Sequence, residues 1–199
     1  ALLGTRLGKK AMVIGALAQS IPDLASVLQG RKIVWLMVPA GSIVDDTILI
    51  LKDHLNEGDI IIDGGNSHYK DSVRCAERLA ANGIYYLDCG TSGGTSGALN
   101  GVCAMIGGNK EAFEICEPIF KAVSVPDGYL YCGESGSGHF TKMVHNGIEY
   151  GMMQSIAEGF ELMERSEFEF DHAAVANLWN NGSVIRGWLM ELTHNALRK

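Results

Sequence analysis

One segment of the chain combines glycines with side chains that can hold a polar ligand and transfer protons. Residues 133–150 read GESGSGHFTKMVHNGIEY. The polar residues of this segment are spaced i, i+3, i+4, i+7 and i+8, and they are Lys142, His145, Asn146, Glu149 and Tyr150. In a helix that opens at Ser137 or Gly138, they would fall within an arc of roughly 140°. Such a face could bind a polyol and move protons on and off it, because it would combine an ammonium, an imidazole, an amide, a carboxylate and a phenol.

The same spacing also fits an ordinary solvated helix face. Two features favour a site. The polar face lacks the alternating Glu/Lys pairs of an exposed helix. The helix also contains glycines that cost up to about 1 kcal/mol each in helix propensity, at positions 147, 151 and 159. Such glycines are tolerable where something packs closely, and the apolar residues Met143, Val144 and Ile148 would form the opposite side of this helix.

The composition limits the class of protein. The 199 residues are 47% hydrophobic and 20% charged, which is typical of a globular chain with one domain or one domain and the start of another. Neither a membrane-spanning run nor a signal peptide is evident, so no membrane partner is expected. The five cysteines are odd in number and contain no C-x-x-C, which favours a cytoplasmic location without disulfides or zinc. The net charge of −7 argues against nucleic acid as a partner.

The elements that must position the polar residues follow from the hydrophobic pattern. Strands and helices alternate up to about residue 132, which predicts a doubly wound, mostly parallel sheet. We predict strands at 32–38, 59–63, 84–89, 102–106 and 129–132, and helices at 20–28, 42–55, 71–82 and 110–120. After that the chain reads as helices only, at 140–165, 171–179 and 184–197. The first domain would span residues 1–135, and residues 136–199 would begin an all-helical domain too small to bury its own faces.

Three successive predicted strands end in loops of small and polar residues. The loops are VPAG at 38–41, DGGNS at 63–67 and GTSGG at 90–94. Each loop alone is more often a turn than a site. Because ligands of parallel α/β sheets bind beyond the carboxyl ends of the strands, three such loops at one edge favour a binding site. Asn66 and Ser92 would supply directed hydrogen bonds there.

These motifs resemble those of a known family. The spacing G-x-x-G-x-G-x-x-x-K-x-x-x-N at residues 133–146 is similar to the signature of the β-hydroxyacid dehydrogenases. The motifs DGGNS, GTSGG and KMVHNGIEYG narrow the resemblance to the decarboxylating 6-phosphogluconate dehydrogenases. The resemblance covers residues 33–195, and WNNGSVIRGWLMELT looks like the shorter bacterial form. It implies a Rossmann-like α/β domain followed by an all-helical domain.

The resemblance implies a reaction and roles for two residues. The family converts 6-phospho-D-gluconate into ribulose 5-phosphate and carbon dioxide, a step of the pentose phosphate pathway, and reduces NADP or NAD. Lys142 would take the proton of the hydroxyl at carbon 3, which requires a lysine pKa pulled towards neutrality. Glu149 would protonate carbon 1 of the resulting enediol. No metal is implied, since the lysine ammonium supplies the electrostatic stabilisation.

The resemblance also implies binding residues and a partner. Substrate would contact Asn66, Ser92, Gly93, Gly94, His145, Asn146 and Tyr150. The cofactor would lie against Val38, Pro39, Ala40 and Asn66. For the substrate phosphate we consider Arg186, which is equally well explained as a surface arginine, and we assign His139 and His194 no functional role. The family forms active sites across a subunit interface, which implies a homodimer.

The sequence departs from the family pattern at both ends. Residues 1–14 lack the G-x-G-x-x-G fingerprint, and the segment that distinguishes NAD from NADP is missing, so cofactor preference is not readable. The chain also stops before the family's C-terminal tail, so we expect a truncated product or a sequence joined from pieces. Two alternatives stay open: a β-hydroxyacid dehydrogenase that does not decarboxylate, and a non-catalytic fragment that binds a sugar phosphate or nucleotide. The pair Glu149–Tyr150 argues against the first, and intact Lys142 and Glu149 argue against the second.

Overall fold

The structure of the protein, a computed structural model, describes residues 20–198. The expectations for residues 1–14 therefore lie outside the described residues. The chain divides into two compact units, the first ending at Val144 and the second beginning at His145. The functional boundary that the sequence predicts between residues 135 and 136 stays a prediction, because compactness does not locate a boundary between functions.

Within residues 20–144, five strands form a mostly parallel sheet, as predicted. Its strands lie side by side in chain order: β1 (Ile33–Leu36), β2 (Ile60–Asp63), β3 (Tyr85–Ser92), β4 (Val102–Gly108) and β5 (Ser124–Gly133). The β1–β2, β2–β3 and β4–β5 pairs are parallel, whereas β3 and β4 are antiparallel. Between β3 and β4 the chain forms only the short helix α4 (Gly94–Asn100), which the sequence analysis did not predict. A parallel crossover needs a dozen or more residues, so this connection reverses the strand direction.

Helices cover both faces of the sheet, which makes it doubly wound. In the described part of the chain, four helices pack on these two faces: α1 (Ile21–Val27), α2 (Ser42–Lys52), α3 (Tyr69–Ala80) and α5 (Lys110–Val123). Along β2, Ile61 packs in a core with α2 and α3, while Ile60 and Ile62 pack in a second core with α5. This alternation is the period-2 pattern of a strand buried on both faces. Ser20 is the N-cap of α1, since its Oγ accepts a hydrogen bond from Asp23 N at 3.3 Å.

Helix α6 (Ser137–Glu164) begins in the first unit and continues into the second. The second unit also contains α7 (His172–Asn180) and α8 (Trp188–Leu197). Within this unit, the rings of Phe160 and Trp179 meet edge to face with centroids 5.5 Å apart. Among the described residues, none of the helices is both long and apolar enough to cross a bilayer.

The largest differences from the predicted bounds are the starts of two elements. Strand β5 begins at Ser124, ahead of the predicted residue 129. Helix α8 begins at Trp188 rather than at residue 184, because the preceding residues form a turn. In that turn, Gly187 N donates to Asn180 Oδ1 at 3.2 Å and Ser183 Oγ donates to Trp179 O at 2.5 Å. Short polar side chains that bond nearby backbone groups compete in this way with helix formation.

Candidate functional site

The three loops predicted to share one sheet edge do come together at the carboxyl ends of β1, β2 and β3. Gly64 N donates to Leu36 O at 2.9 Å, which ties the second loop to the end of β1. Thr91 Oγ1 donates to Gly64 O at 3.5 Å, which ties the third loop to the second. A β-carbon on Gly65 would lie only 2.9 Å from Val38 O. The glycines therefore allow the backbones of these loops to lie in contact with one another.

The buried carboxylate of Asp63 shapes the DGGNS loop. It accepts hydrogen bonds from Gly65 N at 3.1 Å, Ser67 Oγ at 2.6 Å and Tyr86 Oη at 2.8 Å. Burial, followed by the charge of Asp63, raises the pKa of Tyr86, so this phenol stays a hydrogen-bond donor at ordinary pH. Asn66 lies between two residues that Asp63 holds, and its own side chain is exposed. The loop thus presents the amide of Asn66 from a fixed backbone.

The residues assigned to a cofactor lie at this same edge. Val38 lies two residues after the end of β1 and is half-buried, whereas Pro39 and Ala40 are exposed. Together with the exposed amide of Asn66, they offer small apolar surface and hydrogen-bonding groups, which suits a flat ring that carries a carboxamide. The residues present therefore fit a nicotinamide. The prediction that these four residues bind the nicotinamide of a cofactor stays a prediction.

Ser92, Gly93 and Gly94 form the junction between β3 and α4. Ser92 ends the strand and is half-buried. Gly93 has φ +132, and a β-carbon there would lie 2.8 Å from Gly97 Cα. A side chain at this position would therefore be both strained and too close to α4. The two glycines set a tight turn that leaves backbone groups near the sheet edge.

Lys142 lies where α6 crosses β3 and is only 8% exposed. A β-carbon on Gly90 would overlap Cβ of Lys142 and would lie 3.0 Å from Gly138 O. A β-carbon on Gly138 would lie 2.7 Å from Gly107 N. Three glycines, two on strands and one on the helix, therefore let α6 pack directly on the sheet. The ammonium-bearing side chain is enclosed as a result.

Asp88 caps the start of α6, a role that the sequence analysis missed. Its buried Oδ1 accepts from Gly136 N at 2.7 Å and its Oδ2 accepts from His139 N at 2.8 Å. His139 is also buried, and its Nδ1 lies 2.7 Å from Ser72 Oγ on α3. His139, predicted to have no functional role, thus has structural contacts. The only sequence signal for Asp88 was an acidic residue inside a buried strand.

In the second unit, α6 carries the other four polar residues of the predicted face. His145 Nδ1 lies 3.1 Å from Asn146 Oδ1 and 3.6 Å from Glu149 Oε2. These three residues are half-exposed, while Tyr150 is exposed. Imidazole, amide and carboxylate therefore form one polar cluster within two helical turns. Such a cluster can bind hydroxyl groups and exchange a proton with them.

Arg186 lies in the turn between α7 and α8 and is exposed. It lines a cavity of about 750 Å³ inside the second unit, together with Met152, Ser155, Phe160 and Trp179 among others. Most of the lining is apolar, so within this unit a phosphate would find few polar partners beyond Arg186 and Ser155. The phosphate-binding role of Arg186 stays a prediction. His194, also predicted to have no functional role, lies with its Nδ1 2.8 Å from Ala173 O.

Comparison with known proteins agrees with this arrangement. A family model described as the NAD binding domain of 6-phosphogluconate dehydrogenase matches residues 6–133. A second, described as the C-terminal domain of 6-phosphogluconate dehydrogenase, matches residues 138–199. The two models meet close to the start of α6.

Individual relatives point the same way. The Bacillus subtilis protein YqeC is 54% identical over 180 residues, which cover 90% of this chain and 60% of that protein. The NAD(+)-dependent, decarboxylating 6-phosphogluconate dehydrogenase of Haloferax volcanii is 50% identical over 183 residues, which cover 92% of this chain and 60% of that enzyme. The chain thus spans about 60% of the length of these two relatives.

A solved structure extends the likeness to three dimensions. The 6-phosphogluconate dehydrogenase of Plasmodium falciparum, solved in its apo form, with NADP+ and with 6-phosphogluconate, superposes with a TM-score of 0.85. The two are 37% identical, and the match covers 90% of this chain and 40% of that one. With family models that together match nearly the whole chain, this likeness leaves one assignment: the chain belongs to the 6-phosphogluconate dehydrogenase family.

Proposed function

We propose that the protein oxidises and decarboxylates 6-phospho-D-gluconate to ribulose 5-phosphate and carbon dioxide, with reduction of NADP or NAD. The observation that carries this proposal is the enclosed Lys142, held at the crossing of α6 and β3. The names of the relatives support the substrate and the cofactor pair. The nicotinamide, when bound, accepts the hydride that leaves carbon 3 of the sugar acid.

Lys142 is the proposed general base for the hydroxyl at carbon 3. Burial of a lysine favours the neutral amine over the ammonium, and only the neutral amine can take a proton. Once protonated, the same side chain would stabilise the developing charge on the carbonyl oxygen and then on the enediolate. A lysine that packs against Gly90 is also restricted in its rotamers. This restriction supports a role that requires a defined position.

Glu149 is the proposed general acid for carbon 1 of the enediol. It lies within 3.6 Å of the imidazole of His145, so a proton donor and a second titratable group share one helix face. We propose that His145, Asn146 and Tyr150 bind the substrate hydroxyl and carboxylate groups from this helix.

The loops at the sheet edge supply the remaining proposed binding groups. Ser92, Gly93 and Gly94 would bind substrate, and Asn66 would serve both substrate and cofactor. Val38, Pro39 and Ala40 would contact the cofactor. The fixed backbone that Asp63 imposes on residues 65–67 supports this, because a preorganised loop loses little entropy when a ligand binds.

We propose a cytoplasmic homodimer. Helix α6 leaves large apolar side chains exposed, among them Met143, Val144, Ile148, Met152 and Met153. Exposed apolar residues that recur along one helix support a subunit interface. The five cysteines are free, which supports a reducing compartment. Light scattering coupled to size-exclusion chromatography tests the dimer, and a monomer at micromolar concentration would contradict it.

The decisive experiment follows absorbance at 340 nm with 6-phosphogluconate and NADP, then NAD, while trapping carbon dioxide. Reduced nicotinamide and carbon dioxide in equal amounts would support the proposal and identify the cofactor. Reduction without carbon dioxide would instead support a β-hydroxyacid dehydrogenase that does not decarboxylate. Binding of both ligands without turnover would support a non-catalytic role. The protein should be assayed at its full natural length, because the chain spans only part of its relatives.

A further inference from the structure

We propose that Asp88 is the positioning residue that sets the place of Lys142. The inference rests on the proposed function, because it assigns Asp88 to the placement of the proposed base. The Asp88 carboxylate is fully buried on β3, and Asp88 is not among the residues proposed to bind substrate or cofactor.

The first observation is the pair of hydrogen bonds that Asp88 accepts. The first turn of any helix leaves backbone N–H groups without partners inside the helix. Asp88 satisfies two of those around the start of α6, one with each carboxylate oxygen, at 2.7 and 2.8 Å. Its negative charge also faces the positive end of the helix dipole. The carboxylate therefore fixes where α6 begins along the sheet.

The second observation is that β3 carries both Asp88, which holds the start of α6, and Gly90, against which Lys142 packs. Asp88 and Gly90 are two residues apart on β3, so their side-chain positions lie on the same face. His139 and Lys142 are three residues apart on α6, about one helical turn. The contact of Asp88 with the first turn thus aligns the next turn with Gly90. A shift of α6 along β3 would move Lys142 away from Gly90.

The third observation is that little space remains between the Asp88 carboxylate and α6. A β-carbon on Gly107 would lie 2.7 Å from Asp88 Oδ1 and 2.6 Å from Gly138 N. A protein interior this tightly packed cannot absorb a displaced carboxylate without moving the helix. The contact of the His139 ring with Ser72 adds a second tie, which limits rotation of α6 about its axis.

An aspartate is needed here because both acceptor oxygens are used. In Asp88→Asn the amide NH₂ would face one of the two backbone N–H groups, leaving two donors opposed and one backbone group unsatisfied. The first turn would then move or fray. A displacement of about 1 Å at a reacting group can cost about 10²-fold in rate. We expect kcat to fall by that order in Asp88→Asn, with the Kd for the nicotinamide cofactor unchanged.

Asp59 provides a matched control. It is also a buried carboxylate, and it accepts from two backbone N–H groups, Lys32 N and Asn56 N, both at 2.8 Å. It lies before β2, at the opposite edge of the sheet from the loops. Asp59→Asn should lower the urea midpoint as Asp88→Asn does while leaving kcat within about twofold of the wild type. A kcat within twofold of wild type in Asp88→Asn, or an equal loss in Asp59→Asn, would overturn the proposal.

Two additions keep the test decisive. If Asp88→Asn does not fold, Asp88→Glu keeps the charge and both acceptors but lengthens the side chain by one methylene. A positioning role predicts a reduced kcat in Asp88→Glu, whereas a purely electrostatic role predicts wild-type kcat and would overturn the proposal.

Amide hydrogen exchange of Gly136 and His139 measures how well Asp88 protects these two backbone N–H groups, and it does not depend on turnover. If the wild type fails to oxidise 6-phosphogluconate, the proposed function fails. The exchange measurement is independent of that result. Faster exchange in the Asp88 variants would support the proposal that Asp88 fixes the start of α6, and unchanged exchange would overturn it.

Discussion

Gly90 on β3 provides the space that the side chain of Lys142 on α6 occupies. A β-carbon on Gly90 would overlap Cβ of Lys142 and approach the backbone of Gly138. Neither neighbour can give way cheaply, because Gly138 in turn packs against Gly107. Lys142 can pack directly against β3 only because Gly90 has no side chain, so the position of the proposed base depends on this glycine.

Gly90→Ala tests this relationship directly. The added methyl would push α6 from the sheet, so we expect a loss of stability of about 1–3 kcal/mol from overpacking and a fall in kcat. Gly159→Ala is the control on the same helix, since a β-carbon there meets nothing within 4 Å, which contradicts the close packing expected at this glycine from the sequence. It should be neutral or stabilise by up to about 1 kcal/mol through helix propensity. Urea unfolding and steady-state kinetics measure both effects, and a Gly90→Ala protein with wild-type kcat would contradict the packing argument.

Replacing Lys142 tests its proposed role as base. Lys142→Met keeps an unbranched side chain of similar length in a buried position, so the fold should survive. Loss of a general base costs typically about 10²–10⁴-fold in rate, and we expect kcat with 6-phosphogluconate to fall within that range. Cofactor Kd, measured by fluorescence titration, should not change. A variant that retains a tenth or more of wild-type kcat would exclude Lys142 as the base.

Replacing Glu149 tests the proposed acid. Glu149→Gln preserves the shape of the side chain but removes its transferable proton, so turnover should fall by about 10²–10⁴-fold with little change in substrate affinity. Glu158→Gln is the control on α6, because Glu158 accepts a hydrogen bond from the exposed Gln154 at 2.8 Å. Turnover and carbon dioxide release should be near wild type in that control. Unimpaired carbon dioxide release by Glu149→Gln would refute the assignment.

Stability should fall at alkaline pH because of three buried thiols. Burial is the main cause that raises the pKa of Cys75 to about 11 and the pKa values of Cys89 and Cys116 to about 12. In the unfolded chain these thiols lose their protons from about pH 9 upward, as a free thiol does, while the folded protein still holds them. The unfolded state therefore binds fewer protons, and the free energy of unfolding decreases between about pH 9 and 12.

The measurement is the urea midpoint at pH 8.0 and at pH 10.5. We expect a clearly lower midpoint at the higher pH, and a smaller difference in Cys116→Ala, in which one of the three thiols is absent. That variant also loses packing, so the comparison uses the difference between the two pH values rather than the midpoint itself. Equal midpoints for the wild type at both pH values would contradict the prediction.

The sequence by itself determined where most helices and strands form and which residues belong to the candidate site. Hydrophobic runs predicted β1, β2 and β3, because strands buried on both faces are almost continuously apolar. Ser20 as the N-cap and Pro22 in the first turn are local signals for the start of α1, and they act within a few residues. The spacing of the polar residues predicted that one helix would carry them, and α6 does. All of these depend on interactions between neighbours in the chain.

Only the tertiary structure showed that β3 and β4 pair antiparallel within an otherwise parallel sheet, and which residues hold the candidate base in place. The antiparallel pairing of β3 with β4 leaves no periodic signal in either strand. The hydrogen bonds from Gly136 and His139 to Asp88 join residues 48 and 51 positions apart. Contacts over such separations arise only when the chain has collapsed, since closing a long loop brings together residues that no local pattern relates. Lys142 could thus be found from its motif, whereas the anchor and the glycine that fix its position became visible only in the fold.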